Sequence, residues 1–187
     1  MALAPATTAT RTTWQLDPSH LDLGFAVRHL MISTVKGRFG AATGTVTTDG
    51  DDFATADIEV SIDAASLDTR EPARDTHLRS ADFFDVERFP TVTFKSRTVT
   101  VQPGRGRYTV VGDLTIRGIS REMALDVTTE GFVRDPWGNE KAGFSAVGHL
   151  NRRDFGLTWN VAIESGGVLV GDEVKLHLEV ELTKTAA

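Results

Sequence analysis

The sequence predicts an all-β fold, and three features predict it. Apolar and polar residues alternate with period two over several segments. Short turn dipeptides, not long crossovers, separate those segments. One brief helical stretch interrupts them. The clearest alternations set Leu21, Leu23, Phe25 and Val27 against His20, Asp22, Gly24 and Ala26, and Ala56, Ile58, Val60 and Ile62 against Asp57, Glu59, Ser61 and Asp63. A third sets Val174, Leu176, Leu178, Val180 and Leu182 against Lys175, His177, Glu179 and Glu181. Strands of this pattern carry one apolar and one wet face.

Weaker alternation marks residues 92–101, 108–116, 123–132 and 143–150 as further strands. The Gly/Thr-rich run 37–48 also suits a strand, with Gly37, Gly40 and Gly44 allowing bends or bulges. The total is about eight strands. Asp49-Gly50, Pro103-Gly104-Arg105-Gly106, Arg117-Gly118 and Pro136-Trp137-Gly138-Asn139 punctuate them. Links this short join antiparallel neighbours, because parallel strands need long crossovers. Antiparallel strands with one wet face close into a barrel or stack as a sandwich.

The helical stretch lies within TREPARDTHLRSADFF, residues 69–84. Asp68 or Thr69 is the expected N-cap, with Glu71 and Pro72 in the first turn. Asp75 and Arg79 stand at i,i+4, the spacing of a helix-face ion pair. Residues 151–157 form a second irregular segment before the last strand.

Composition narrows the function. The 187 residues fit one domain, expected over residues 13–184, after an Ala/Thr-rich tail at 1–12 read as disordered. Twenty Lys and Arg against 26 Asp and Glu leave a formal net charge of −6, and no long basic cluster offers phosphate contacts, so nucleic acid is not an expected partner. There is no cysteine, which excludes disulfides, thiolate nucleophiles and Cys-ligated zinc. The five histidines form no HxH, HExxH or HxxxH pattern, and no metal site or cofactor is expected. No run approaches the ~20 apolar residues of a membrane span, and no basic start with a ~7–15-residue apolar core opens the chain. The expected location is the cytoplasm. Neither GxSxG nor a phosphate-cradling glycine loop is present, so the expectation is a protein without enzymatic activity.

Taken in order, several short runs resemble the YceI-like family of lipocalin-like polyisoprenoid-binding proteins. They are Asp17-Pro18-Ser19-His20, Phe25-Ala26-Val27-Arg28-His29-Leu30, Val35-Lys36-Gly37-Arg38-Phe39, and residues 74–80 with Asp82-Phe83-Phe84. Phe89-Pro90, Phe94-Lys95-Ser96 and residues 112–118 follow, then Arg153-Asp154-Phe155-Gly156 and Val170-Gly171-Asp172. The resemblance runs from about Trp14 to Leu182. It implies an extended, eight-stranded antiparallel lipocalin-like barrel with a short helix between strands, whose apolar interior holds a polyisoprenoid or isoprenoid quinone. Dimers are common in the family, which makes a homodimer a second implied partner beside the lipid. Many members carry a secretion signal, from which this sequence departs.

Under that resemblance the inner wall is expected to include Phe25, Val27, Ile58, Val60, Phe94, Leu114, Ile116, Phe144, Leu176 and Leu178. Phe83 and Phe84, being consecutive, point different ways, and both join the ligand-binding set. Arg74, Asp75, His77 and Arg79 read either as a network tying the helix to the barrel rim or, with His29, as contacts to a polar head group. Arg152-Arg153-Asp154 reads as an ion-pair turn. Two competing functions stand beside lipid storage or transport: a small barrel enzyme using His29, His77 and Asp75 on a lipid-like substrate, and a plugged, stress-related interaction module.

Overall fold

The structure is a computed structural model that describes residues 10–162 and 168–185. Strands β1 (Arg11–His29), β2 (Ser33–Phe39), β3 (Ala42–Asp49), β4 (Asp52–Asp63) and β5 (Leu67–Asp68) precede helix α1 (Pro72–Arg79). Strands β6 (Thr91–Val101), β7 (Arg107–Ile116), β8 (Ile119–Arg134), β9 (Glu140–Asn151) and β10 (Val170–Lys184) follow it. Most of the expected tail lies outside the described residues, but Arg11 and Thr12 already pair with Asp49 and Thr48, so the domain begins earlier than expected.

Each strand pairs antiparallel with its neighbour, and β10 returns to β1 from Trp14↔Lys184 to His29↔Val170. This pairing closes an eight-stranded antiparallel barrel in which β2 and β3 act as one bent strand. The run 37–48 is therefore two strands, broken between Phe39 and Ala42. Opposite that break β1 slips register between Leu16 and Leu21, so its first half pairs with β3 and its second half with β2. The wall loosens again between β4 and β6, which pair only from Glu59↔Lys95 to Asp63↔Thr91. Just beyond, the Ile58 N–H donates to Ser96 Oγ at 2.8 Å instead of to a strand carbonyl.

The turns follow their sequence signals. Arg117 and Gly118 both adopt positive φ between β7 and β8, and Gly50 does so between β3 and β4. Gly37 meets a different requirement: a Cβ there would lie 2.4 Å from Phe25 Cζ and 2.8 Å from Thr69 Cγ2.

Helix α1 is shorter than the stretch read from sequence. Glu71 is the N-cap, its side chain accepting from the Ala73 N–H, and Pro72 opens the first turn. Asp68 and Thr69 are not caps. Thr69 is buried, and its N–H and Oγ1 donate to Asp75 Oδ1 at 3.0 and 2.5 Å. Arg74 Nε donates to Thr69 Oγ1 at 2.7 Å. Arg79 donates to the Ala65 and Leu67 carbonyls at 2.9 and 2.5 Å, and so does not pair with Asp75. The i,i+4 spacing was overridden because the buried Asp75 carboxylate needs hydrogen-bond donors, and Thr69 supplies two to Oδ1 while Arg79 is engaged by the Ala65 and Leu67 carbonyls.

At the opposite end of the wall, Lys141 Nζ reaches Asp17 at 2.6 Å and Glu181 at 2.9 Å, fastening the β1 bulge to β9 and β10. The Lys141 ammonium, then the Ser19 N–H and His20, lower the Asp17 pKa from 3.8 to about 2.

Two outcomes follow. Asp75→Ala leaves the buried Thr69 N–H unpaired and lowers unfolding free energy by about 2 kcal/mol, read from urea titrations with unchanged m-value. An effect within about 0.5 kcal/mol shows the strap to be dispensable. For the second, a carboxyl with depressed pKa stabilises above its ordinary pKa and loses that contribution as pH falls towards about 2. Lys141→Met therefore destabilises by about 1 kcal/mol at neutral pH, after allowance for solvent screening, and the gap to wild type closes between about pH 4 and about pH 2. A gap constant over that range refutes the pairing.

Candidate ligand-binding cavity

Because strand side chains alternate between faces, every barrel strand sends an apolar row inward. Those rows surround a cavity of about 300 Å³. Its lining includes Phe25, Val27, Ile58, Val60, Phe83, Phe84, Phe94, Leu114, Ile116, Phe144, Leu176 and Leu178, the positions read from sequence as inner wall. Tyr108 and Arg152 are the only polar side chains in the lining among the described residues.

The interior is packed on one side, where Val92, Phe94, Val110, Leu114, Ile116, Met123 and Leu125 are buried, and keeps a cavity on the other. On β10 the inward residues Val174, Leu176, Leu178 and Val180 are only half-buried, while Glu173, Lys175, His177 and Glu179 are exposed outside. In a packed core the inward row would be fully covered. Left empty, a void of this size would forgo roughly 7 kcal/mol of packing, comparable with the whole stability of a domain.

Aromatic clusters bound the cavity. Phe53 packs on Trp14 and Phe144 with ring centroids 5.2 and 4.9 Å apart, and Phe132 leans on Phe53 at 5.6 Å. Trp14, Val46, Phe53, Ala142, Phe144 and Leu182 are all buried, so this end is blind. Towards the helix, Phe84 meets Phe39 edge-on at 5.6 Å, and Phe39 meets Phe25 at 5.6 Å. Phe83 turns the other way, onto Trp159 at 5.3 Å and His77 at 5.1 Å. The two phenylalanines thus reach the cavity from different sides. The inward run on β10 from Val170 to Leu182 gives the cavity a length of roughly 30 Å once strand tilt is allowed for.

None of His29, Arg74, Asp75, His77 and Arg79 lines the cavity. Arg74, Asp75 and Arg79 belong to the strap between α1 and the β5 segment described above. His77 Nε2 lies 2.9 Å from Asp82 Oδ2, and its ring packs edge-on against Trp159 at 4.6 Å. His29 stands at the strand end opposite Val170. The geometry is that of the rim network.

The lining residue that sequence reasoning undervalued is Arg152. It is buried, and its guanidinium donates to the carbonyls of Leu157, Trp159, Val170 and Gly171 and to Asp172 Oδ1 at 3.1 Å. Burial lowers its pKa and Asp172 opposes the shift. The expected ion-pair turn is real in kind, but its acid is Asp172, which also holds Arg153 at 3.4 Å. A partner nineteen or twenty residues away leaves no local sequence signal. Among the described residues, Asp17, His20 and Glu181 bring ligating atoms within 4.8 Å of one another, but the Lys141 ammonium already sits on both carboxylates.

Comparison with known proteins agrees with this architecture. A UPF0312 protein of Staphylococcus aureus (strain N315) is 38% identical over 173 residues, covering 92% of this chain and 98% of its own. The Campylobacter jejuni YCEI protein superposes with a TM-score of 0.73 at 31% identity, over 85% of this chain and 90% of that one. Burkholderia cenocepacia BcnA shares the fold with a TM-score of 0.75 at 22% identity, over 89% of this chain and 98% of its own. A polyisoprenoid binding domain from Saccharophagus degradans, implicated in plant cell wall breakdown, shares it at 0.63 and 13% identity, over 92% and 98% of the two chains. The YceI-like domain matches residues 14–182, and the chain belongs to the YceI-like family.

Proposed function

We propose that the barrel binds, stores or carries one long-chain apolar lipid, a polyisoprenoid or an isoprenoid quinone, without transforming it. The observation that carries this reading is the half-buried inward row of β10 around a closed-ended apolar tube. A linear chain gains about 0.8 kcal/mol for each buried CH₂, so affinity comes from length alone and needs no polar group along the wall. A narrow tube of roughly 30 Å favours a chain over a compact ring system. The polyisoprenoid binding named for the Saccharophagus degradans domain supports the ligand class.

Catalysis is less well supported. Asp75 is occupied by Thr69, His77 by Asp82 and two aromatic rings, and neither they nor His29 line the cavity. A plugged interaction module is disfavoured by the half-covered lumen. Among the described residues a polar head group finds no free cation along the wall, since Arg152 is spent on backbone carbonyls and Asp172, so this reading puts the head beyond the apolar tube.

Native mass spectrometry of protein purified from its own host is expected to show one lipid per barrel, released by organic solvent. The paired variant Val60→Phe/Leu178→Trp fills the lumen. It is expected to lose the lipid while keeping or raising Tm, because the added carbon enters empty space. In a filled core the same change would destabilise by about 1–3 kcal/mol for each site. That destabilisation, in a wild type free of lipid, would refute the reading.

A further inference from the structure

The β1–β2 hairpin ends in an apolar point that the fold does not need. Leu30, Met31 and Ile32 are 36%, 56% and 81% exposed. The His29 carbonyl accepts from the Ile32 N–H at 3.2 Å, and the two central residues sit at φ of 51° and 60°. In this three-residue loop between His29 and Ser33, two consecutive positive φ values suit Asn-Gly, and bulky side chains there are strained. Leucine and methionine at this tip are unfavourable twice, in backbone conformation and in exposure to water.

The point is not isolated. The Leu30 N–H donates to the Leu169 carbonyl at 2.9 Å, and the Leu169 N–H donates to Val161 at 3.0 Å. Val161 and Val168 are 48% and 37% exposed. Directly behind them Val27 and Val170 line the cavity. Apolar side chains thus run from outside the barrel to its lumen at this end, as they do at the other from Phe132, 58% exposed, through Phe53 and Phe144. Arg28 braces the tip by donating to the Met31 carbonyl at 2.7 Å, and Lys36 stands exposed on the adjoining strand. Neither has an ion-pair partner among the described residues.

We propose that this end docks on a lipid bilayer, with Leu30, Met31 and Ile32 entering the interface and Arg28 and Lys36 facing headgroup phosphates. The proposal rests on the lipid-binding reading, since it gives the cargo a dry path between membrane and lumen. A protein partner fits less well. A stable interface takes ~20–30 residues a side, while this patch has, among the described residues, five exposed apolar ones on a projecting point. Shallow insertion of a few apolar side chains beside cations is how peripheral proteins hold a bilayer. The net charge of −6 acts weakly at the tip, because screening confines each charge to about 8 Å and the tip itself carries Arg28 and Lys36.

The test is co-sedimentation of the intact chain with sucrose-loaded phosphatidylcholine vesicles, with and without phosphatidylglycerol and free of isoprenoid lipid. Wild type is expected to bind both, and the anionic vesicles more tightly. Leu30→Asn/Met31→Gly installs the preferred turn dipeptide, so Tm should rise by about 3 °C while vesicle partition falls about tenfold or more. A raised Tm excludes misfolding as the cause. Trp137→Ser, at the far end of the barrel where Trp137 is 84% exposed, should leave partition unchanged. Unchanged partition in the tip variant, or loss in the Trp137 variant, overturns the proposal. Val60→Phe/Leu178→Trp separates the two readings: it should dock normally yet carry no lipid. If wild type docks but never carries lipid, the cargo reading falls and docking stands; if it carries lipid but ignores vesicles, docking falls.

Discussion

Closure of β10 onto β1 is the constraint from which the rest of this molecule follows. Once the last strand pairs with the first from Trp14 to His29, with one slip between Leu16 and Leu21, no sheet edge remains between them to be covered, and every strand must send alternate residues into one shared interior. The inward positions are aliphatic or aromatic almost throughout, so water is unwelcome there. Yet a cavity remains among them, and the half-covered row on β10 records it. A domain that forgoes this much packing keeps its stability elsewhere. The aromatic cluster around Phe53 seals one end, the strap from Asp75 and Arg79 holds the helical side, and the Arg152 guanidinium ties two carbonyls of the last loop to two at the start of β10.

The polar residues are therefore best understood as frame rather than site. Asp75, Arg79 and Arg152 are those whose types most invite a chemical role, and each is satisfied by backbone groups of neighbouring segments. The low dielectric around them makes an unpartnered charge expensive, which fixes both their geometry and their partners. The lumen is left chemically plain, able to discriminate by length and bore and by little else.

Most of the barrel was legible in the sequence because period two is a local signal. The row Val174 to Leu182 declares its faces without any knowledge of neighbours, and Asp49-Gly50 and Arg117-Gly118 declare their turns. Naming an inner wall took the family resemblance as well, since period two alone does not say which face lines a cavity. What could not be read depended on contacts distant in sequence. The break between β2 and β3 exists because β1 changes partner opposite it. Glu71 displaced Thr69 as the cap because Asp75 claimed the threonine. Arg152 found Asp172 across a loop, and the hairpin tip met Val161 and Leu169 only in three dimensions.

The change of partner along β1 has a consequence for how such a container evolves. One half of the strand is registered against β3 and the blind aromatic end, the other against β2 and the helix, with the slip at Leu16–Leu21 between them. Each half sets its own curvature. Enlarging or shrinking Trp14, Phe53 or Phe144 therefore reshapes the cavity at its blind end while the half of β1 registered on β2 keeps its own curvature.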